Sequence, residues 1–464
     1  MSDTFQPFAD KMKTAGLSEA AIRAFERNYR ALQRNETGLI AEGTITPVES
    51  LPHIASLPTA ESPELKSLLR QTVVIKLNGG LGTGMGLEKA KSLLSVRDGL
   101  TFLDLIAKQI LHLRAEGGGG NVPQFLLMNS FSTSEDTLAY MAKYPELGGT
   151  SKLEMMQNRV PKVRTADLSP LSWPADPDME WCPPGHGDIY ASLAGSGWLD
   201  RLLAEGIVYS FVSNSDNLGA TLSPDLLRHF AQSGAPFLME VTRRTEVDKK
   251  GGHLARRLTD DRLILRESAQ CPKADEMNFQ NVERHRFFNT NNLWVHLGRL
   301  KQALNESNGL IPLPMIRNEK TADPRDPKSP GVFQLETAMG AALDIFEGAA
   351  AIEVGRDRFA PVKTTSDLLI IRSDACVLTP DHRLELAPER AGVPPVVDLD
   401  SNHYKLVDGL QQMLARAVPS LLQCHRLTVK GPVVFAPGVV AKGEATFINE
   451  TTEPQEIAAG TYGS

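Results

Sequence analysis

From residue 71 onward the chain alternates short apolar runs with longer stretches whose apolar positions recur at helical spacing. TVVIKL (72–77), QFLLMN (124–129), IVYSFVSN (207–214) and PFLMEVT (236–242) are β-branched or fully apolar runs and predict buried strands. Between them, LTFLDLIAKQILHLRAE (100–116) has one apolar stripe and ends in Gly117–Gly120, which predicts a helix stop and then a flexible loop. Ser132 with Glu135 predicts a capping box opening STSEDTLAYMAKY. Ser223–Pro224 predicts a helix over LLRHFAQSG, with proline at its preferred first position. Strand–helix alternation of this kind predicts an α/β protein: a mixed, mostly parallel, doubly wound sheet with helices on both faces. Ligands of such sheets sit beyond the carboxyl ends of the strands.

The two ends follow other patterns. Over residues 1–70, Ala20, Ala21, Phe25, Tyr29 and Leu32 recur at helical spacing, and TPVESLPHIASLPTAESP (46–63) then breaks any helix. Near the other end, Leu427, Val433, Val439 and Ala445 lie six apart, as do Val429, Phe435, Ala441 and Phe447. Two interleaved registers of six are similar to the hexapeptide repeat of a parallel β-helix; an ordinary strand pair is the alternative. Four hexads make little more than one coil and do not bury their own face, so this segment should lean on the rest of the chain or on a partner subunit.

Composition narrows the function. Among 464 residues, 41% hydrophobic and 23% charged is ordinary for a globular protein, and no run approaches the ~18 apolar residues of a membrane helix. The start, MSDTFQPFADKMK, lacks a secretory pattern. With 49 basic and 56 acidic residues the net charge is −7, which argues against a nucleic-acid binder. An anionic ligand must therefore meet cations gathered locally. Cys182, Cys271, Cys376 and Cys424 are far apart, with no CxxC pair; they predict buried reduced thiols in a cytoplasm rather than a zinc site.

After TVVIKL comes LNGGLGTGMGLEKAKSLL (77–94), where Gly79, Gly80, Gly82, Gly84 and Gly86 give five glycines in eight residues. Such a loop lets backbone N–H groups turn toward an anion at close range. It fits neither GxGxxG nor GxxxxGK[ST], since Gly84 is followed by Met85, so a dinucleotide dehydrogenase and a P-loop kinase are both disfavoured. Its place directly after a strand, with Lys89 and Lys91 following, points to phosphate; a flexible linker is the alternative.

KLNGGLGT with Lys91–Ser92 resembles the nucleotide-binding loop of the eukaryotic-type UDP-glucose pyrophosphorylase (UTP–glucose-1-phosphate uridylyltransferase) family. ETGLI (36–40), TPV (46–48), PPGHGDIY (183–190), SNSDNLGA (213–220), FNTNNLWV (288–295), QLETAMGAA (334–342) and RFAPVKTTSDLLI (358–370) follow in that family's order. One departure is Lys89–Ala90–Lys91–Ser92 where the family has Gly-Pro-Lys-Ser, which removes a fixed φ at the loop exit. The resemblance implies a nucleotidyltransferase (GT-A-like) fold: a helical segment over 1–70, a catalytic domain over 71–395, and a short left-handed parallel β-helix over 396–464. It implies that UTP and glucose 1-phosphate react to UDP-glucose and pyrophosphate, reversibly and Mg²⁺-assisted, by in-line attack on the α-phosphorus. It also makes the C-terminal segment the candidate surface for a homo-oligomer. The end is shorter than in animal and yeast relatives, which sets their octamer apart.

Chemistry of this kind needs positioning and charge neutralisation rather than a nucleophilic side chain. By resemblance Lys91 and Lys363 reach the phosphates from opposite ends of the chain, and PVKTTSDLLII places Lys363 just before an apolar strand. Asp216 follows the strand IVYSFVSN; a carboxylate there suits Mg²⁺, and an Asx-turn aspartate is the alternative. The nucleotide would contact Leu77, Asn78, Gly79, Gly80, Asn214 and Ser215, with uracil read by Gln157 and the backbone near Gly185. His186 in PPGHGD, Asn214, Asn289, Asn291 and Glu336 resemble the sugar-phosphate contacts. Rival readings are a pyrophosphorylase for another sugar 1-phosphate, a glycosyltransferase (whose DxD would need a second carboxylate in Ser215–Asp216–Asn217), and a non-catalytic nucleotide-sugar sensor.

Overall fold

The computed structural model describes residues 4–59, 62–117, 119–324 and 326–464. Ala60 and Glu61 of the predicted break, and Gly118 of the predicted helix stop, lie outside the described residues. Ten strands among the described residues form the main sheet. They are β1 (Ile45–Pro47), β2 (Thr72–Asn78), β3 (Gln124–Asn129), β4 (Glu154–Met156), β5 (Tyr209–Asn214), β6 (Phe237–Arg243), β7 (His253–Arg257), β8 (Leu263–Arg266), β9 (Phe287–His296) and β10 (Ala350–Glu353). The spatial order is β1-β7-β9-β5-β2-β3-β4, with β6 beside β9 and β10, and β8 beside β7.

The sheet is mixed. β5, β2, β3 and β4 run parallel, as do β6 and β10. β9 runs antiparallel to both β5 and β6, and β1, β7 and β8 continue antiparallel. The sheet is mixed as expected, with its parallel pairs confined to one half and to one outer pair. β7 and β8 form an antiparallel hairpin between β6 and β9 in the chain, which needs no crossover helix of the kind a parallel pair requires.

Side chains alternate across the sheet. Val74, Phe125, Leu127 and Phe211 belong to one core, and Val73, Ile75, Leu126 and Val212 to the other. Helix Phe102–Glu116 covers the first face, opened by the reciprocal Thr101–Asp104 cap. Ile189–Gly195, Trp198–Ala204 and Leu297–Glu306 cover the second. Helix Pro224–Ser233 starts as expected, with the Ser223 hydroxyl accepting from the Leu226 N–H. The Ser132–Glu135 capping box does not form. The helix begins at Ser134, and the Thr133 hydroxyl is instead committed to the Asn78 carbonyl. TSDLLIIR, read as an apolar strand, is helix Thr365–Arg372, opened by a true box between Thr364 and Asp367.

The N-terminal segment holds helix Glu19–Gln33, whose Ala21, Phe25, Tyr29 and Leu32 are buried, and it also contributes β1 to the sheet edge. The C-terminal segment comprises β11 (Val396–Leu399), β12 (Ser420–Lys430), β13 (Val433–Phe435), β14 (Val439–Ile448), β15 (Gln455–Ile457) and β16 (Gly460–Tyr462). β11, β12, β14 and β16 pair in parallel, as do β13 and β15. Leu427 pairs with Ala445 and Val429 with Phe447, each three hexads further on. All eight hexad positions are buried, in the same core cluster as Leu368, Leu369 and Ile371. The apolar registers therefore lean on the catalytic part of the chain. No helix among the described residues is long and apolar enough to cross a membrane.

Candidate active site

Register lines up the carboxyl ends of the central strands: Leu77 sits opposite Asn214 and Asn78 opposite Asn129. The glycine loop leaves β2 at this rim. Gly82 and Gly86 take positive φ on either side of a short turn, and the loop closes where the Lys91 N–H donates to the Gly80 carbonyl. A Cβ on Gly79 would lie 2.6 Å from Gln157 Oε1, so that glycine is what lets Gln157 approach the loop. Asn78 is turned inward: its amide donates to Asn129 and Thr137, which gives it a supporting place under the loop.

Gln157 bridges the loop to the second motif by donating from Nε2 to the Gly185 carbonyl, 3.1 Å. PPGHGD is in turn clamped to QLETAMGAA. The Thr337 N–H donates to Pro184, the Gly187 N–H to Thr337, and the Tyr190 hydroxyl to Met339. Gly185, at φ 79°, leaves no room for a Cβ against the Thr337 backbone, 2.5 Å away. Glu336 lies at this junction, its own Cβ 3.0 Å from the same point. His186 Nδ1 accepts from the Met339 N–H, 3.0 Å, which assigns the ring proton to Nε2; burial lowers its pKa to about 4. Burial raises neighbouring Asp188 to about 6, against the pull of bonds from Asn158 and Ser192.

At the end of β5, Lys91 Nζ lies 2.7 Å from Asp216 Oδ2. The Asp216 carbonyl accepts from the Val362 N–H, and Asn217 bridges to Pro361, so residues 360–363 lie against the Asp216 turn. Lys363 is exposed there, one residue before the cap of helix Thr365–Arg372. Lys91 thus meets the turn through its ammonium, while Lys363 is brought beside it by the backbone and lies near enough to act on Glu267. Lys89 goes elsewhere, 3.5 Å from Asp136 and with a mostly exposed side chain. Ser215 is buried, its N–H given to Leu77.

Asn289 and Asn291 sit in a β-bulge of β9. Register with β6 shifts between Glu240 and Val241, and Asn291 takes φ 59°. Their side chains hold one another: Asn289 Nδ2 donates to Asn291 Oδ1, and the Asn291 N–H to Asn289 Oδ1. Glu267, which the sequence reading missed, follows β8 into this place; its carboxyl is raised by burial and pulled back by Asn289 and by the Lys363 charge. Also missed is a buried polar group beneath the rim: Lys76, Glu240, Asn292 and Arg358. Lys76 is lowered to about 7, by burial first and the Arg358 charge second. A lysine inside an otherwise apolar strand was the available signal.

An α/β sheet with a glycine loop at its rim, facing a lysine–aspartate pair and a second lysine, defines a nucleotide-transferring enzyme of the nucleotidyltransferase class. The sequence profile of UTP–glucose-1-phosphate uridylyltransferase matches residues 21–442, and the chain belongs to that family. The potato enzyme of that name is 40% identical over 423 residues, covering 89% of this chain and 85% of its own. The Saccharomyces cerevisiae enzyme is 41% identical over 407 residues, covering 87% and 79%. Among solved structures, a mutant UDP-glucose pyrophosphorylase from Leishmania major in complex with UDP-glucose superposes with TM-score 0.94 at 48% identity, covering 99% of this chain and 98% of that one. A Trypanosoma brucei structure described as UDP-glucose phosphorylase gives 0.91 at 50% identity, covering 99% and 97%.

Proposed function

We propose that this chain joins UTP and glucose 1-phosphate into UDP-glucose and pyrophosphate, with Lys91, Asp216 and Lys363 gathered on the transferring phosphate. The observation that carries the reading is the 2.7 Å Lys91–Asp216 contact, which joins the glycine loop to the end of β5 at the turn that also holds 360–363. A sugar phosphate oxygen attacks the α-phosphorus of UTP, the bond to the bridging oxygen breaks opposite, and pyrophosphate leaves. Lys91 and Lys363 spread the developing negative charge over two fixed cations. The N-terminus of helix Thr365–Arg372, beside Lys363, adds a positive end to the same region. Gln157 reads uracil with its amide, assisted by the backbone of Leu77, Gly79, Gly80 and Gly185. Asn214 and Ser215 line the same rim. His186, Asn289, Asn291 and Glu336 surround the sugar phosphate, with Glu267 beside them.

Asp216 fits a divalent cation. Its Oδ1 is buried with no partner, and Mg²⁺ asks for only one or two carboxylates when phosphates supply the rest. When bound, the metal would neutralise phosphate charge there. Residues 396–464 read as a short left-handed parallel β-helix, supported by the three-hexad register of β12 on β14, and we keep the divisions at 70/71 and 395/396. The free cysteines, three of them buried, support a cytoplasmic setting. The test is pyrophosphate release over a panel of nucleoside triphosphates and sugar 1-phosphates, with and without a chelator. UTP with glucose 1-phosphate should be the best pair and chelation should stop it. A better rate with ATP, or with N-acetylglucosamine 1-phosphate, would refute the assignment, and full turnover after chelation would refute the metal.

A further inference from the structure

Two segments that carry proposed ligand contacts meet on one carboxylate outside the site, and the Asp216 turn is joined to it through Arg358. Glu240, in β6, is fully buried. Its oxygens accept from Arg358 Nε and Nη2, both at 2.8 Å, from Asn292 Nδ2 at 3.1 Å and from Trp294 Nε1 at 2.9 Å. Its main-chain carbonyl accepts the Thr290 hydroxyl at 2.7 Å, inside the bulge. Arg358 reaches the Asp216 turn by donating to the Thr221 carbonyl, and its own carbonyl accepts from Asn217 and Asn292. Lys76, on the strand feeding the glycine loop, donates to the Ala220 carbonyl in the same turn.

A buried ion pair gains little net stability over apolar residues of equal volume. What a bidentate carboxylate–guanidinium fork does supply is a fixed relative orientation. Here the fork ties the end of the Asp216 turn, the bulge with Asn289 and Asn291, and the start of the segment that ends in Lys363. We propose that Glu240 is a positioning residue for the transfer reaction: through Arg358 and Asn292 its carboxylate holds the sugar-side bulge and the Lys363 segment in register with the Asp216 turn. The inference rests on the sugar-side assignment given above. None of the groups bonded to Glu240 (Arg358, Asn292, Trp294 and Thr290) touches Gly79, Gln157 or Gly185, so the side proposed for uracil should be indifferent to loss of the carboxylate.

The experiment compares full-length wild type with Glu240→Gln, Thr290→Val and Trp294→Phe, by amide hydrogen exchange and by kinetics. In Glu240→Gln, amides of 289–292 and 359–363 should exchange faster together while those of 77–80 and 155–157 stay unchanged. Its kcat should fall about 10- to 100-fold with UTP affinity within about threefold, the signature of a small misplacement at the reacting centre. Thr290→Val should speed exchange at 289–292 and raise KM for glucose 1-phosphate. If Glu240→Gln does not accumulate folded, Thr290→Val and Trp294→Phe decide, each removing one donor to Glu240. Exchange rising uniformly over the sheet, no response in either segment, or equal losses for UTP and glucose 1-phosphate would overturn the proposal. Failure of the sugar-side assignment looks different: Asn289→Ala would leave KM for glucose 1-phosphate unchanged while the coupled exchange persisted.

Discussion

On the side proposed to face uracil, space is made by glycines; on the side proposed to face the sugar, position is imposed by buried side chains. Gly79 leaves room for Gln157 and Gly185 leaves room for the Thr337 backbone, and Gln157 bridges the two loops. Asn289 and Asn291 instead stand on a bulge, with Glu240 and Arg358 packed beneath. The first arrangement leaves no room for a side chain at Gly79 or Gly185. The second is spread over distant segments, and its failures should appear as lost alignment rather than lost binding. The Asp216 turn lies between the two, holding Lys91 by its ammonium and the segment before Lys363 by its backbone.

The largest effects should come from that meeting point. Lys91→Ala and Lys363→Ala should each lower kcat about 10²–10³-fold, the typical loss for one preorganised electrostatic partner, with UTP binding weakened less. Arginine at either position should rescue poorly, since a planar fork does not replace a point charge. Steady-state kinetics with UTP titration calorimetry separates the two effects.

Next comes the glycine side. Gly185→Ala places a Cβ at positive φ against the Thr337 backbone and should cost about 1–3 kcal/mol of stability along with UTP affinity. Gly80→Ala meets nothing within 4 Å and should change melting by little. Equal melting temperatures for the two variants would contradict the account of the glycine side.

A smaller effect concerns pH at the loop between the sides. His186 is lowered to about 4, so the folded state refuses a proton that the unfolded chain takes; its contribution is present above the ordinary 6.5 and is lost as pH falls toward 4. Asp188 is raised from 3.8 to about 6, so it works in the opposite sense: its contribution favours folding at low pH and is lost as pH rises through 6. Over pH 4–6 the two slopes oppose. In His186→Asn the melting temperature, relative to wild type, should fall as pH climbs from 4 to 6.5 and then level; parallel curves would remove His186 from the explanation. The smallest effect belongs to Lys89→Ala, below about tenfold in rate, because Lys89 faces Asp136 and solvent.

What was legible in the sequence follows the same division. The strands at 72–78 and 124–129, the glycine loop and the Ser223–Pro224 start are written within a few residues of themselves, and all form. Thr101–Asp104 and Thr364–Asp367 close their boxes, whereas Ser132–Glu135 does not, because the helix begins at Ser134 with Thr133 at its cap position. DLLII could not be told from a strand by apolarity alone; the cap before it was the decisive cue. The bulge at Asn291 and the Glu240–Arg358 pair were not legible, since the one is a register shift between distant strands and the other joins residues more than a hundred positions apart. Glu267 shares that character: it becomes part of the site only through the β7–β8 hairpin, whose β7 pairs with β9.

The central claim is that the two sides meet in one charge-neutralising unit formed by Lys91 and Lys363. A double-mutant cycle on kcat tests it directly, using wild type, Lys91→Ala, Lys363→Ala and the double variant with saturating UTP and glucose 1-phosphate. Groups that act on one transition state are non-additive, so the double variant should lose markedly less than the product of the single losses. A double variant whose loss equals that product would show two lysines acting independently and would contradict the account.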